Sequence, residues 1–401
     1  MKIVIVTNQA YAVWQLRREF LAILVQNGHD VTLVSPEGDS LDQIRGLGVS
    51  VIVIPLKRHL SPLYDLYSIW SLYRTFSNHK FDIAYTISVK PNIYGTIAAR
   101  LAGVPKHFGL VCGLGTAFLD GKGLKQKCLQ FIVRNLYRIA GQCTDKLIFQ
   151  NDDDRRFMIE CNIVPDAKTH VIKSSGVNFG VYSPELVDPA EVRKVRRDLF
   201  GVDGETIVVG VLSRALESKG VREFIHCSRE AESWNRKIRF IHVGEHDTKE
   251  PHALKIEELS ETKLYKWVGF RSDVSVVIQA MDILTLPSYR EGVPRSLLEG
   301  MALCKPIVTT DTAGCRETVD HGINGLIVPP RDADALAGAI KKIAFDDELR
   351  LRMGMASRRK AEREFDVHDV NRRIIEEVFG LPCATEAGIG ILNKTALRKT
   401  A

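Results

Sequence analysis

No stretch of the 401-residue sequence reaches 18 consecutive apolar residues, which excludes a helix that spans a bilayer. The N-terminus, Met1 to Val6, shows no basic region, no long apolar segment and no small-residue cleavage site, so no secretory signal is expected. Eight cysteines are present, yet none form a C-x-x-C pair and none cluster with histidine at zinc spacing. They read as reduced, mostly buried thiols of a cytosolic protein. No short-period repeat occurs. No G-x-G-x-x-G follows the first strand-like run, which argues against a dinucleotide oxidoreductase. Nor is there a nucleic-acid-binding motif.

Charge of one sign is also scarce. The net charge is +6, from 55 Lys+Arg against 49 Asp+Glu, but it is unevenly spread. Residues 51–150 hold 13 basic and 4 acidic side chains, whereas residues 181–401 hold 34 and 35. An anionic surface would therefore be met by the first half. A hydrophobic fraction of 45% with 26% charged residues excludes disorder, collagen and a small disulfide scaffold. The length favours two domains.

What is present is alternation. Short Val/Ile-rich runs at Lys2–Val6, Val31–Val34, Val51–Ile54, Ile83–Ile87, His107–Val111, Lys146–Phe149 and His170–Ile172 read as buried strands separated by helix-like stretches. The pattern restarts with Thr206–Leu212, Arg239–Val243, Leu264–Val268, Asp282–Leu286, Pro306–Thr309 and Gly325–Val328. Near-continuous apolar strands imply parallel sheets covered on both faces. The expected fold class is therefore α/β, with two Rossmann-like, doubly wound domains facing across a cleft. The polar stretch Asn178–Gly204 is placed as the linker. The expected domains are 1–180, with a C-terminal helix able to pack back on it, 181–380, and a mobile tail over 381–401. Ligands in such sheets sit beyond the carboxyl ends of the strands, so the site is expected in the cleft.

The run Pro287-Ser-Tyr-Arg-Glu-Gly-Val-Pro-Arg-Ser-Leu-Leu-Glu299 follows one of these strands. Pro294 suits the first turn of a helix. Glu291 then lies in the loop and Glu299 more than a turn inside the helix, where carboxylates can grip sugar hydroxyls and a ribose diol. Backbone N–H groups around Gly292, Val293 and Arg295 suit a phosphate. Arg214 and Lys219, after the strand ending at Leu212, can hold phosphate oxygens and stabilise a departing diphosphate. Phe270 and Arg271 stand in a turn after another such strand, with Asp273 as a helix cap, and the resemblance that these segments together carry implies that their backbone groups lie beside a nucleotide base. Gly113 and Gly115 open a small-residue loop that a diphosphate can approach. Asn151-Asp-Asp-Asp154 reads as a helix cap rather than a metal site.

Together with Lys305–Thr310, Ala313–Glu317, Gly322–Gly325 and Val328–Pro330, these segments resemble the donor-binding signature of retaining glycosyltransferases of family 4, which have the GT-B fold. Cys304 departs from the glycine usual there, and Cys112 stands where many relatives have a polar or acidic side chain. The Gly-rich loop common after the first strand is absent at Thr7–Tyr11. The first half is similar to bacterial enzymes that build glycans on polyprenyl-diphosphate carriers. The resemblance implies transfer of an N-acetylhexosamine, N-acetylgalactosamine favoured, from a UDP-sugar with retention. Arg214, Lys219 and Glu291 would be catalytic, Glu299 would hold ribose, and neither cofactor nor metal is implied. A GT-B sugar-nucleotide epimerase is the alternative, and a non-catalytic sugar-binding module a weaker one. Two basic amphipathic stretches, one with Lys57 and Arg58 and one with Lys122, Lys125, Lys127 and Arg134, are expected to meet an anionic membrane and its lipid-linked acceptor. The protein would then sit on the inner face of the cell membrane.

Overall fold

The computed structural model describes residues 1–56, 61–114, 124–248, 250 and 252–383. The chain divides into two compact units. One is formed by Met1–Ser175 together with the described residues that follow from Val367 to Cys383, the other by Gly176–Asp366.

The first unit holds a seven-stranded parallel sheet, built from β1 (Lys2–Val6), β2 (Asp30–Ser35), β3 (Ser50–Val53), β4 (Ile83–Ile87), β5 (Lys106–Val111), β6 (Lys146–Phe149) and β7 (Thr169–Val171). The strand order is β3-β2-β1-β4-β5-β6-β7. Side chains alternate across the pleat. Ile3 and Ile5 of β1 enter the core on one face, and Val4 and Val6 the core on the other. Helix Ala10–Gln26 covers the first face. Helix Val367–Arg373 and its continuation Ile374–Phe379 join it there, with Phe379 stacked on Phe108 at 5.2 Å.

Helices Pro62–His79, Val89–Leu101 and Leu124–Cys143 pack side by side in the same unit. A buried ion pair joins the first two, Lys90 Nζ to Asp65 Oδ1 at 2.7 Å. The outer face of helix Pro62–His79 is apolar: Leu63, Tyr64, Leu66, Tyr67, Trp70 and Tyr73 are exposed. Arg74 lies over the Trp70 ring at 4.9 Å.

The second unit holds a six-stranded parallel sheet of β8 (Ile207–Leu212), β9 (Ile238–Val243), β10 (Tyr265–Trp267), β11 (Ile283–Leu286), β12 (Ile307–Thr310) and β13 (Gly325–Val328). The order is β10-β9-β8-β11-β12-β13. The stretch expected to link the domains is instead part of this unit. Val195 and Phe200 enter its core, because Val192, Val195 and Leu199 repeat at helical spacing. Arg196 fixes the segment through the Ala280 carbonyl at 2.9 Å and Asp282 at 3.1 Å. The thiols also differ from expectation: only Cys227 and Cys315 are buried, whereas Cys112 and Cys128 are exposed. The tail expected over 381–401 falls, from residue 384 onward, outside the described residues.

Cys304 has φ 57°, the left-handed region that disfavours a side chain. Cys304→Gly is therefore expected to stabilise the second unit by about 1 kcal/mol, the relief of strain exceeding the added freedom of the unfolded chain. Thermal melting of the variant checks this, and a lower melting temperature would count against it.

Candidate active site

The loops that follow β8, β11 and β12 emerge at the same edge of the second sheet, because neighbouring strands run parallel. Two glycines let them approach. Gly220 has φ 69°, and a Cβ there would collide with the Pro287 carbonyl. Gly314 has φ 77°, and a Cβ would strike the Gly292 carbonyl. The closeness is also hydrogen-bonded: Tyr289 N donates to the Ser218 carbonyl at 2.9 Å, and Glu291 N to the Ala313 carbonyl at 3.1 Å.

This brings two of the expected catalytic side chains together. Lys219 Nζ is bonded to Glu291 Oε1, and both are mostly shielded from solvent. Ser288 Oγ lies 2.7 Å from the same carboxylate oxygen and 3.0 Å from the Ser218 carbonyl. Behind Ser288, the Thr310 hydroxyl donates to its carbonyl, as does that of Thr312 at 3.2 Å. The carboxylate is thus aimed by β12 as well as by its own loop. Burial, with Glu291 adding to it, pushes the Cys315 thiol up to about 11, so it stays neutral.

Arg214 points away from this cluster. Its Nη1 binds Glu250 at 3.0 Å, on a loop beyond β9. The backbone just before it is held by His242 of β9, whose Nε2 lies 3.0 Å from the Ser213 carbonyl and whose Nδ1 lies 3.1 Å from the Tyr265 hydroxyl. The carbonyl only accepts, so Nε2 carries the proton and Nδ1 accepts from Tyr265. Burial pushes the His242 pKa down to about 4 from an ordinary 6.5. Stability tied to this group is complete above pH 6.5 and falls as pH drops toward 4, by about 3 kcal/mol, since the unfolded chain takes up the proton first. Urea unfolding at pH 7 and pH 4 is expected to show that loss in the wild type and a smaller one in His242→Gln. An unchanged difference would contradict the assignment.

Glu299 is 8% exposed, in helix Arg295–Ala302, and is gripped one turn back by Arg295 Nε at 2.9 Å. Arg295 also donates to the Gly176 carbonyl at 2.6 Å. Pro294 is the residue that caps this helix, not a member of its first turn, since its ψ of 119° is extended. Gly292 and Val293 precede it in the loop. Phe270 is 63% exposed, in the loop after β10. Arg271 is paired with Asp273 through two bonds of 2.8 and 2.7 Å. Asp273 therefore serves the arginine and makes no cap bond to its helix, contrary to the sequence expectation.

In the first unit, Asn151 caps helix Asp152–Glu160, accepting from Asp154 N at 2.8 Å, as its position after β6 implies. Gly113 follows β5 with φ 119°. Gly115, Lys57, Arg58 and Lys122 lie outside the described residues. Lys125 falls within helix Leu124–Cys143, and Lys127 on that helix is exposed. Arg134 is turned inward, over the Phe157 ring at 5.8 Å. Exposed Phe131, Ile132 and Ile139 take the outer positions of its helix.

Ser288, Thr310, Thr312, Glu250 and His242 carry no motif of their own. Their roles arise from contacts between loops far apart in sequence. Ser288 and Thr310 lie within segments that the sequence singles out, Pro287–Glu299 and Lys305–Thr310, but neither segment shows their support of Glu291.

Two family models match the chain: "Glycosyl transferase 4-like domain" over residues 13–174 and "Glycosyl transferases group 1" over residues 193–360. The chain is 29% identical, over 94% of its length and 98% of the relative's, to N,N'-diacetylbacillosaminyl-diphospho-undecaprenol alpha-1,3-N-acetylgalactosaminyltransferase of Campylobacter jejuni. It is 26% identical, over 86% and 87%, to the Escherichia coli UDP-Gal:alpha-D-GlcNAc-diphosphoundecaprenol alpha-1,3-galactosyltransferase. Among solved structures it is similar to Anabaena HepE in complex with UDP, at a TM-score of 0.76 and 21% identity over 95% of this chain and 100% of that one.

Proposed function

Because this chain belongs to family 4 of the GT-B glycosyltransferases, we propose that it transfers an N-acetylhexosamine, with N-acetylgalactosamine favoured, from a UDP-sugar to a saccharide on polyprenyl diphosphate, with retained configuration. The observation that carries the reading is the Lys219–Glu291–Ser288 cluster at the carboxyl edge of the second sheet. It combines a cation for a leaving diphosphate with a carboxylate for sugar hydroxyls. The named relatives act on undecaprenyl-diphosphate-linked acceptors, which supports the acceptor class.

Chemically, breakage of the bond between the anomeric carbon and the diphosphate leaves the electron pair on the UDP oxygen. Lys219 and Arg214 stabilise that charge, and in a partly shielded site each is worth far more than in water. Both cations are bonded to glutamates, Glu250 and Glu291, and donor phosphate oxygens take the place of these carboxylates. Glu291, released from Lys219, is then free to position the sugar, and Glu299 takes the ribose diol. The acceptor hydroxyl attacks on the face the diphosphate leaves, and a donor phosphate oxygen takes its proton. No metal and no cofactor enter this scheme.

Membrane contact is part of the same proposal. The aromatic face of helix Pro62–His79 and the exposed Phe131, Ile132 and Ile139 supply apolar area, with the surrounding basic residues attracting anionic lipid. The protein then works at the inner face of the cell membrane, where a lipid-linked acceptor is found.

A donor screen with a polyprenyl-diphosphate saccharide tests the reading, with UDP release and the fate of the sugar followed with and without acceptor. Acceptor-dependent UDP release with a UDP-N-acetylhexosamine is expected. Conversion of the sugar without acceptor and with little UDP release would instead make the protein an epimerase.

A further inference from the structure

Helix Ala10–Gln26 of the first unit buries one stripe against its sheet, formed by Val13, Phe20, Leu21 and Leu24. Arg17 occupies the same stripe, one turn from Val13 and one turn from Leu21, and is only 4% exposed. Among the described residues, its Nη1 is shut off from solvent and has no hydrogen-bond partner. Among the described groups that sense its charge are Tyr85 of β4 and Cys112, directly after β5. Neither balances it. Burial raises the pKa of the Tyr85 phenol, with Arg17 pulling against it, and the Cys112 thiol is likewise held above its ordinary range, so both are neutral at neutral pH. The Tyr85 hydroxyl is itself buried and, among the described residues, without a partner.

A guanidinium does not shed its proton to escape burial. A buried charge with no counter-charge is strongly unfavourable, and unsatisfied polar atoms in a native interior call for an ion or ligand. Helical side chains lean toward the helix N-terminus, and this helix starts where β1 ends. Arg17 is therefore directed toward the edge of the first sheet formed by the carboxyl ends of its strands. That is the ligand-binding edge of a parallel α/β sheet, and it carries the exposed Cys112. The planar fork of arginine matches phosphate oxygens.

We propose that Arg17, with the Tyr85 hydroxyl beside it, forms an anion subsite in the first unit that takes a phosphate or diphosphate group of a substrate. Resting on the function proposed above, that group is the diphosphate of the lipid-linked acceptor. The diphosphate of the nucleotide is the other source of the same chemistry, and the experiment separates the two.

The probe is a short-chain prenyl-diphosphate saccharide, added in the presence of saturating UDP. It is expected to raise the melting temperature of the wild type and not that of Arg17→Gln. In kinetics, Arg17→Gln is expected to raise the KM for this acceptor about tenfold or more and to leave the KM for the UDP-sugar within about twofold, with Arg17→Lys recovering part of the loss. Equal stabilisation of wild type and variant would overturn the subsite. A rise confined to the UDP-sugar KM would move it to the nucleotide and overturn the acceptor assignment. Without ligand, Arg17→Met is expected to melt above the wild type, because an uncompensated charge is gone. A lower melting temperature would mean that the fold itself needs the cation, and would also overturn the subsite. The melting shifts require no turnover, so failure of the subsite and failure of the proposed activity are read separately.

Discussion

Lys219→Ala is expected to lower kcat by roughly 10²–10³-fold, the usual effect of removing one group that stabilises developing negative charge. Arg214→Ala is expected to fall in the same range. The argument is differential: the positive charge matters most when the diphosphate departs, so KM for the donor changes less than kcat. Lys219 has a second job, because it is the cation bonded to Glu291. Lys219→Ala and Glu291→Ala together should therefore lose less than the product of the single losses, since the two side chains form one unit. Steady-state UDP release, with melting temperatures as a control for folding, measures all three. Near-normal turnover in Arg214→Ala, Lys219→Ala and Glu291→Ala would remove the basis of the site.

The largest stability effect is expected at Lys90. Its ammonium and the Asp65 carboxylate are both about nine-tenths shielded and 2.7 Å apart. Asp65 also accepts from Ser61 N at 3.0 Å, at the start of helix Pro62–His79. Lys90→Met leaves a buried carboxylate without a cation and is expected to cost about 3–5 kcal/mol. Replacing both residues, Lys90→Met with Asp65→Leu, should recover most of the loss, since an apolar pair of similar volume carries no desolvation penalty. Denaturant melts of the three variants check this. A loss under about 1 kcal/mol in Lys90→Met would place the pair among weak surface bridges. The pair also anchors the helix whose outer face bears Tyr67, Trp70 and Tyr73, so Lys90→Met should weaken binding to anionic vesicles as well.

Much of this was legible in the sequence, for local reasons. Fully buried parallel strands have near-continuous Val/Ile runs, so Ile83–Ile87, Lys146–Phe149 and Gly325–Val328 could be read to the residue. Asn151 could be read as a cap because it stands between such a strand and an apolar-periodic stretch. Lys219 and Glu291 could be singled out because each stands in a loop at the carboxyl end of a strand, within segments that together resemble the donor-binding signature of the family. What could not be read is non-local. Ser288 supports Glu291 only because β12 brings Thr310 and Thr312 behind it. His242 looks like any strand residue until β8 places the Ser213 carbonyl at its ring. Polar composition suggested a linker at Asn178–Gly204, yet the stripe of Val192, Val195 and Leu199 was there to be seen. Arg17 left a similar signal, a cation on the apolar stripe between Val13 and Leu21.

The central claim is sugar transfer from a UDP donor to a polyprenyl-diphosphate-linked saccharide with retention. The most direct measurement incubates the protein with UDP-N-acetylgalactosamine and such an acceptor, then determines the mass and anomeric configuration of the lipid product. The account predicts a product longer by one N-acetylhexosamine, joined through an α linkage as in the UDP donor, with one UDP released per sugar. An extended product with the β configuration, or UDP release with no extended lipid, would contradict it.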